Sequence, residues 1–149
     1  MRSIERFALQ SVIAVLCLVP IGAGLGGMVD GTGFIASGDG GSPELDSQFR
    51  YLSGLLLAIG LGYLASVPRI EEHSRRILLF TGIVVTGGIG RLVGALARGQ
   101  SSMVTAGALA LELVVVPAIA LWQLRIARQA AELPRRRGVI WAKWCRVPD

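Results

Sequence analysis

Arg91 and Glu112 are the residues whose types and placement most invite chemistry, because each lies inside a stretch otherwise apolar enough to cross a bilayer. A charge at the centre of a spanning helix costs about 2.5–3.5 kcal/mol on insertion scales, so such residues face a partner, water or a substrate. Guanidinium presents a planar fork of donors that a carboxylate can accept two at a time. The chemistry open to this pair is therefore ion pairing, capture of an anion or headgroup by the arginine, or proton exchange at the carboxylate. Depth allows them to meet: at about 1.5 Å per residue, Arg91 lies about 9 Å below the surface marked by Ala97, and Glu112 about 14 Å below the same surface at Met103. Arg50 enters from that side, with Asp46 one turn before it. The expectation is one polar cluster of Arg50, Arg91 and Glu112 in the outer half of a helix bundle, with Asp46 at its rim. Two plainer readings stand beside it: a buried ion pair that only fixes helix register, or an arginine that snorkels to the interface.

Other reactive side chains lead nowhere comparable. His73 is the one histidine, and a metal site needs several convergent ligands, so neither a metal nor heme is expected. Ser11, Ser53 and Thr86 have no base at a useful spacing and are expected to bond backbone carbonyls. Gly31-Thr32-Gly33 follows no strand and precedes no Gly-Lys-Ser/Thr, which excludes a phosphate loop. Cys17 and Cys145 form no CxxC and suggest no disulfide framework. No cofactor is implied.

The elements that must position Arg91 and Glu112 are spanning helices. In 149 residues, 52% are hydrophobic and 17% charged, and the mean hydropathy is +0.60, too apolar for a soluble domain of this size. Four runs, at about residues 7–29, 51–67, 77–97 and 103–124, approach the roughly 20 apolar residues that a span needs. Arg2 and Arg6 ahead of the first run, which reaches Ile21-Gly22-Ala23-Gly24, resemble a secretory signal. The run is long for a signal core and three spans follow, so it is read as a retained helix.

Pro20 and the glycines at 22, 24, 26 and 27 predict a kink or a loosened outer half in the first span. Residues 30–48 read as a surface loop, and the second span is expected to start near Phe49 with Asp46 or Ser47 as its N-cap, ending at Pro68. In the third span Gly87 and Gly94 share the face of Arg91, at spacings of four and three, and together with Gly90 they are expected as packing glycines at a seam where a neighbouring helix approaches closely. Tyr51, Tyr63 and Trp122 fall near span ends, where amphipathic rings anchor at the interface. Short links at 69–76 and 98–102 make an all-α, up-and-down transmembrane four-helix bundle the economical fold for residues 1–130.

A net charge of +5 would suit a nucleic-acid partner, but its distribution argues otherwise. Twelve cations and five anions lie in the two termini and the loop after the second span; the other two loops hold Arg50 and Arg98 against Asp30, Asp39, Glu44 and Asp46. By the positive-inside rule both termini are cytoplasmic, and no nucleic-acid partner is expected. Residues 131–149 form a basic tail in which Arg135, Arg136, Arg137 and Lys143 accompany Trp141 and Trp144. That composition suits anionic headgroups at the inner surface or docking to a partner protein.

Three phrases on successive helices carry a resemblance: Asp46-Ser47-Gln48-Phe49-Arg50-Tyr51, Gly87-Gly88-Ile89-Gly90-Arg91, and Glu112 followed by Pro117. Over about residues 7–125 the chain resembles a group of small bacterial four-span membrane proteins defined by a domain of unknown function, itself similar to the DoxX-like four-helix set. The resemblance implies a four-helix bundle in the bacterial inner membrane, with Arg50, Arg91 and Glu112 as its typical polar positions, and it implies no activity. The function expected is that of a non-catalytic accessory, assembly or lipid-binding component, partnered by membrane lipids and by another membrane protein or further copies of itself. The alternative is a small transporter or membrane enzyme that uses an Arg/Glu pocket for an anionic or quinone-like ligand.

Overall fold

Where no water is available, every backbone N–H and C=O must be satisfied within its own segment, and a helix does this locally. A computed structural model describes the backbone of residues 2–34, 42–99 and 102–144, and side chains over 4–34, 42–99 and 102–130. Among the described residues every regular element is helical: α1 (Arg2–Asp30) with a 3-10 turn (Gly31–Phe34), α2 (Pro43–Ser66), α3 (Ser74–Arg98), α4 (Met103–Ala110), a π turn (Leu111–Val115) and α5 (Val116–Trp144). Four stretches are long and apolar enough to cross a membrane, Ile4–Phe34, Pro43–Ser66, Ser74–Arg98 and Met103–Ala130.

Local chemistry sets the helix ends. Ser42, not Asp46 or Ser47, caps α2: its hydroxyl accepts from the Leu45 amide at 3.3 Å and Pro43 occupies the first turn, where its missing N–H costs nothing. The cap thus lies well before the expected start, and Asp46 is released for another task. Ser102 caps α4 in the same way. Gly99 ends α3 at φ 62, the left-handed conformation that favours glycine. α1 stays helical through Pro20 to Asp30, so the expected loosening does not occur. Its glycines serve packing instead: a Cβ on Gly24 would lie 2.7 Å from the Leu57 amide nitrogen and 2.8 Å from the Ser53 carbonyl, so α1 and α2 touch backbone to backbone. At the other end of the chain, α5 runs past Pro134 to Trp144. The helix thus extends into the expected tail, and the side chains of Arg135, Arg136, Arg137, Trp141, Lys143 and Trp144 lie outside the described residues.

The helices pack in the cyclic order α1, α2, α3, α5, the up-and-down arrangement that the short links dictate. The buried core gathers at the end that holds the N-terminus and the 67–73 loop, called here the basic end: Leu9, Ile13, Cys17, Ile70, Ile77 and Ala120. Polar ties close this end. Gln123, fully buried, donates to the Ile70 carbonyl at 2.6 Å and to Ser74 Oγ at 2.8 Å. Gln10 donates to the Val67 carbonyl at 2.8 Å, and Arg6 meets Glu71 at 3.0 Å. Tyr63 shares a hydrogen bond of 2.8 Å with Thr81, joining α2 to α3. It is therefore an interhelical tie rather than the interface anchor expected, and Trp122 likewise packs against the core.

The opposite end is built differently. Among the described residues, none of α1 or α2 packs against α4 or the π turn; these two touch α3 and their own continuation only. The molecule is two helical hairpins, α1–α2 and α3–α4/α5, joined at the basic end.

Candidate functional site

Arg91 leaves α3 toward the π turn and grips Glu112 with both arms of its fork: Nε donates to Oε2 at 3.1 Å and Nη2 to Oε1 at 3.0 Å. Such bidentate pairing fixes orientation as well as charge. The pair is not sealed in a core, since the Arg91 side chain is 48% exposed and that of Glu112 21%.

Two features bring the carboxylate there. First, Gly88, three residues before Arg91, lies buried against the π turn: a Cβ there would sit 2.8 Å from Leu113 Cδ2 and 3.0 Å from Glu112 Cβ. Glycine at 88 therefore lets α3 reach the backbone level of Glu112. Second, the turn from 111 to 115 is widened, with the Val116 N–H bonding the Leu111 carbonyl five residues back. Pro117 follows at once and has no N–H to give to a carbonyl in the preceding turn, while its ring would crowd the carbonyl four residues earlier. Widening the helix just before the proline relieves that crowding, and π turns of this kind occur often at functional sites.

Arg50 and Asp46 do not join this pair. Asp46 Oδ1 accepts from the Thr32 amide at 2.9 Å, and its Oδ2 accepts from Arg50 Nε at 2.7 Å. Arg50 Nη1 then donates to the last carbonyls of α1, Met28 at 2.6 Å and Val29 at 2.8 Å. Those carbonyls lie in the last turn of α1, where a helix runs out of N–H partners of its own, and a cation there also meets the negative end of the helix dipole. Gly31, at φ 60, makes the turn that brings Thr32 to Asp46. The expected single cluster is thus two separate ones, a staple closing the α1–α2 hairpin and a clamp closing the α3–α4 hairpin. Among the described residues no hydrogen bond or ion pair links Arg50 to Arg91 or Glu112.

Residues 8–123 match the domain of unknown function DUF4345. The chain belongs to this family. The DUF4345 region contains the staple, the clamp and both ties of Tyr63 and Gln10, and it stops before the second half of α5. No curated protein and no solved structure matches the chain.

Within this DUF4345 bundle the glycine seam needs correcting. Among the described residues nothing lies within 4 Å of a Cβ on Gly87, Gly90 or Gly94, whereas Gly88 makes the close contact. The physical reason is the direction of α3: the helix turns Gly88 and Arg91, three residues apart, to the π turn, and no described residue approaches its glycines at 87, 90 and 94. Ser53 and Thr86 bond the carbonyls of Phe49 and Gly82, each four residues back, at 2.8 and 2.9 Å, as expected of hydroxyls in a spanning helix. The residues that sequence reasoning passed over are Gly88, Thr32 and Pro117 as the cause of the π turn. The glycine run, and a proline five residues after a glutamate in the same span, were the signals available.

Proposed function

We propose that this is a non-catalytic integral membrane protein that works by binding lipids or neighbouring helices at the end remote from its closed core, as an accessory or assembly component. The bacterial inner membrane is its setting, with the basic end cytoplasmic. The observation that carries this reading is the asymmetry of the bundle: among the described residues neither α1 nor α2 packs against α4 or the π turn, and the Arg91–Glu112 clamp is part-exposed rather than sealed in a core. An ion pair at such a face holds two helices in register while their remaining surface stays available.

A second reading, a small transporter or membrane enzyme acting through Arg91 and Glu112 on an anionic or quinone-like ligand, draws on the same exposure of Arg91. The two separate experimentally. Polymer extraction into native nanodiscs followed by native mass spectrometry is expected to show a retained lipid, a partner chain or a second copy. A bare monomer without lipid would contradict the binding role, and ligand turnover abolished by Glu112→Gln would favour the second reading.

A further inference from the structure

Beyond the clamp, toward the α3–α4 link, lies a hollow of about 450 Å³ lined by Arg91, Gly94, Ala95, Arg98, Ser102 and Thr105. Resting on the binding role proposed above, we propose that this hollow seats the phosphate of an anionic phospholipid headgroup between Arg91 and Arg98.

The spacing builds the seat. Residues 91, 94, 95 and 98 recur at intervals of three and four on one side of α3, so two arginines stand two turns apart, about 10 Å along the axis. Gly94 and Ala95 between them carry almost no side chain, and no described residue lies within 4 Å of a Cβ on Gly94. The glycine that does not pack a helix instead floors the trough. Across it stand Ser102 and Thr105, whose hydroxyls share a hydrogen bond of 3.0 Å. That bond uses one of two hydroxyl protons and leaves the other for an acceptor.

Charge selects the ligand. Arg91 is neutralised by Glu112 through Nε and Nη2, which leaves its Nη1 to donate. Arg98 forms no ion pair among the described residues. The hollow and its clamp therefore carry one net positive charge, the complement of a phosphodiester monoanion. The rim selects an amphiphile over a free ion: Met103 is 91% exposed and Val104 82% exposed, both beside Ser102 and Thr105. An acyl or glycerol portion lying against them would cover apolar surface that a bare phosphate leaves uncovered.

The test uses the full chain with Arg135, Arg136 and Arg137 changed to Gln, so that the tail contributes no headgroup binding. It is reconstituted in phosphatidylcholine nanodiscs containing a minor fraction of spin-labelled phosphatidylglycerol, and the motionally restricted fraction of the label is read. Preference for the anionic lipid is expected, and Arg98→Gln should weaken it about fivefold. Gly94→Leu should do the same by filling the trough, while helix content and thermal stability hold, since no atom stands in its way. Unchanged preference in both variants overturns the seat and leaves the binding role standing. Binding of inorganic phosphate that displaces the lipid and depends on Arg98 overturns the lipid assignment. A chain that retains neither lipid, partner nor second copy overturns both.

Discussion

Cutting the Arg91–Glu112 clamp on one side strands the charge on the other. Arg91→Leu leaves the mostly buried carboxylate of Glu112 alone in an apolar setting, a loss expected at about 3 kcal/mol. Glu112→Leu is expected to cost less, because a half-exposed arginine is long enough to reach the interface. The double change to Leu removes both charges and should lie closer to the native chain than the Arg91→Leu single variant. Unfolding by sodium dodecyl sulfate in mixed micelles measures all three. Additive losses would mean that the two side chains do not act as a unit. The meeting of these residues was legible from type and depth alone, since a guanidinium and a carboxylate at similar levels on consecutive antiparallel helices have few other places to go. The separate fate of Arg50 was not legible. Its partners are the Asp46 carboxylate and two backbone carbonyls at the end of α1, and carbonyl acceptors leave no mark in a sequence.

At the scale of elements, the close approach of α3 to the π turn depends on one glycine. Gly88→Ala places a methyl against Leu113 and Glu112 and is expected to destabilise by about 1–3 kcal/mol. Gly87→Ala meets nothing within 4 Å and is expected to be neutral or slightly stabilising, because alanine is the better helix former. The same detergent titration checks both, and equal losses would contradict the observed packing side of α3. The existence and order of the four spans were readable from apolar runs and turn residues. Their phase was harder: with glycines at 87, 88, 90 and 94, the helix has several small-residue sides, and the sequence pattern does not distinguish the one that meets a neighbour. The π turn was hidden for a related reason. It changes the helix by one hydrogen-bond step around Pro117, which leaves the apolar pattern intact. Likewise the 3-10 turn and the early start of α2 shorten the expected first loop, where Gly, Ser and Asp favour turn and cap alike.

For the whole molecule, the decisive property is where the two hairpins meet. At the basic end Leu9, Ile77 and Ala120 share one core and Tyr63 reaches Thr81; at the opposite end, among the described residues, α4 and the π turn touch neither helix of the first hairpin. Composition announced a membrane protein and short links announced an up-and-down bundle, but neither speaks to uneven closure, because lipid-facing and helix-facing apolar residues are chemically alike. The proposed binding role rests on the surface next to Arg91 that neither α1 nor α2 covers among the described residues. Cysteine cross-linking in the native membrane tests this most directly, using a chain with Cys17 and Cys145 replaced by Ser and a short thiol-specific linker. Tyr63→Cys with Thr81→Cys should link within one chain, whereas cysteine at 22, 23 or 25 of α1, the neighbour of α5 in the ring, paired in turn with cysteine at 104, 108 or 111 should not. Efficient intrachain links from these α1 positions to α4 or the π turn would show a bundle closed along its whole length, and would contradict the open face on which the proposed role stands.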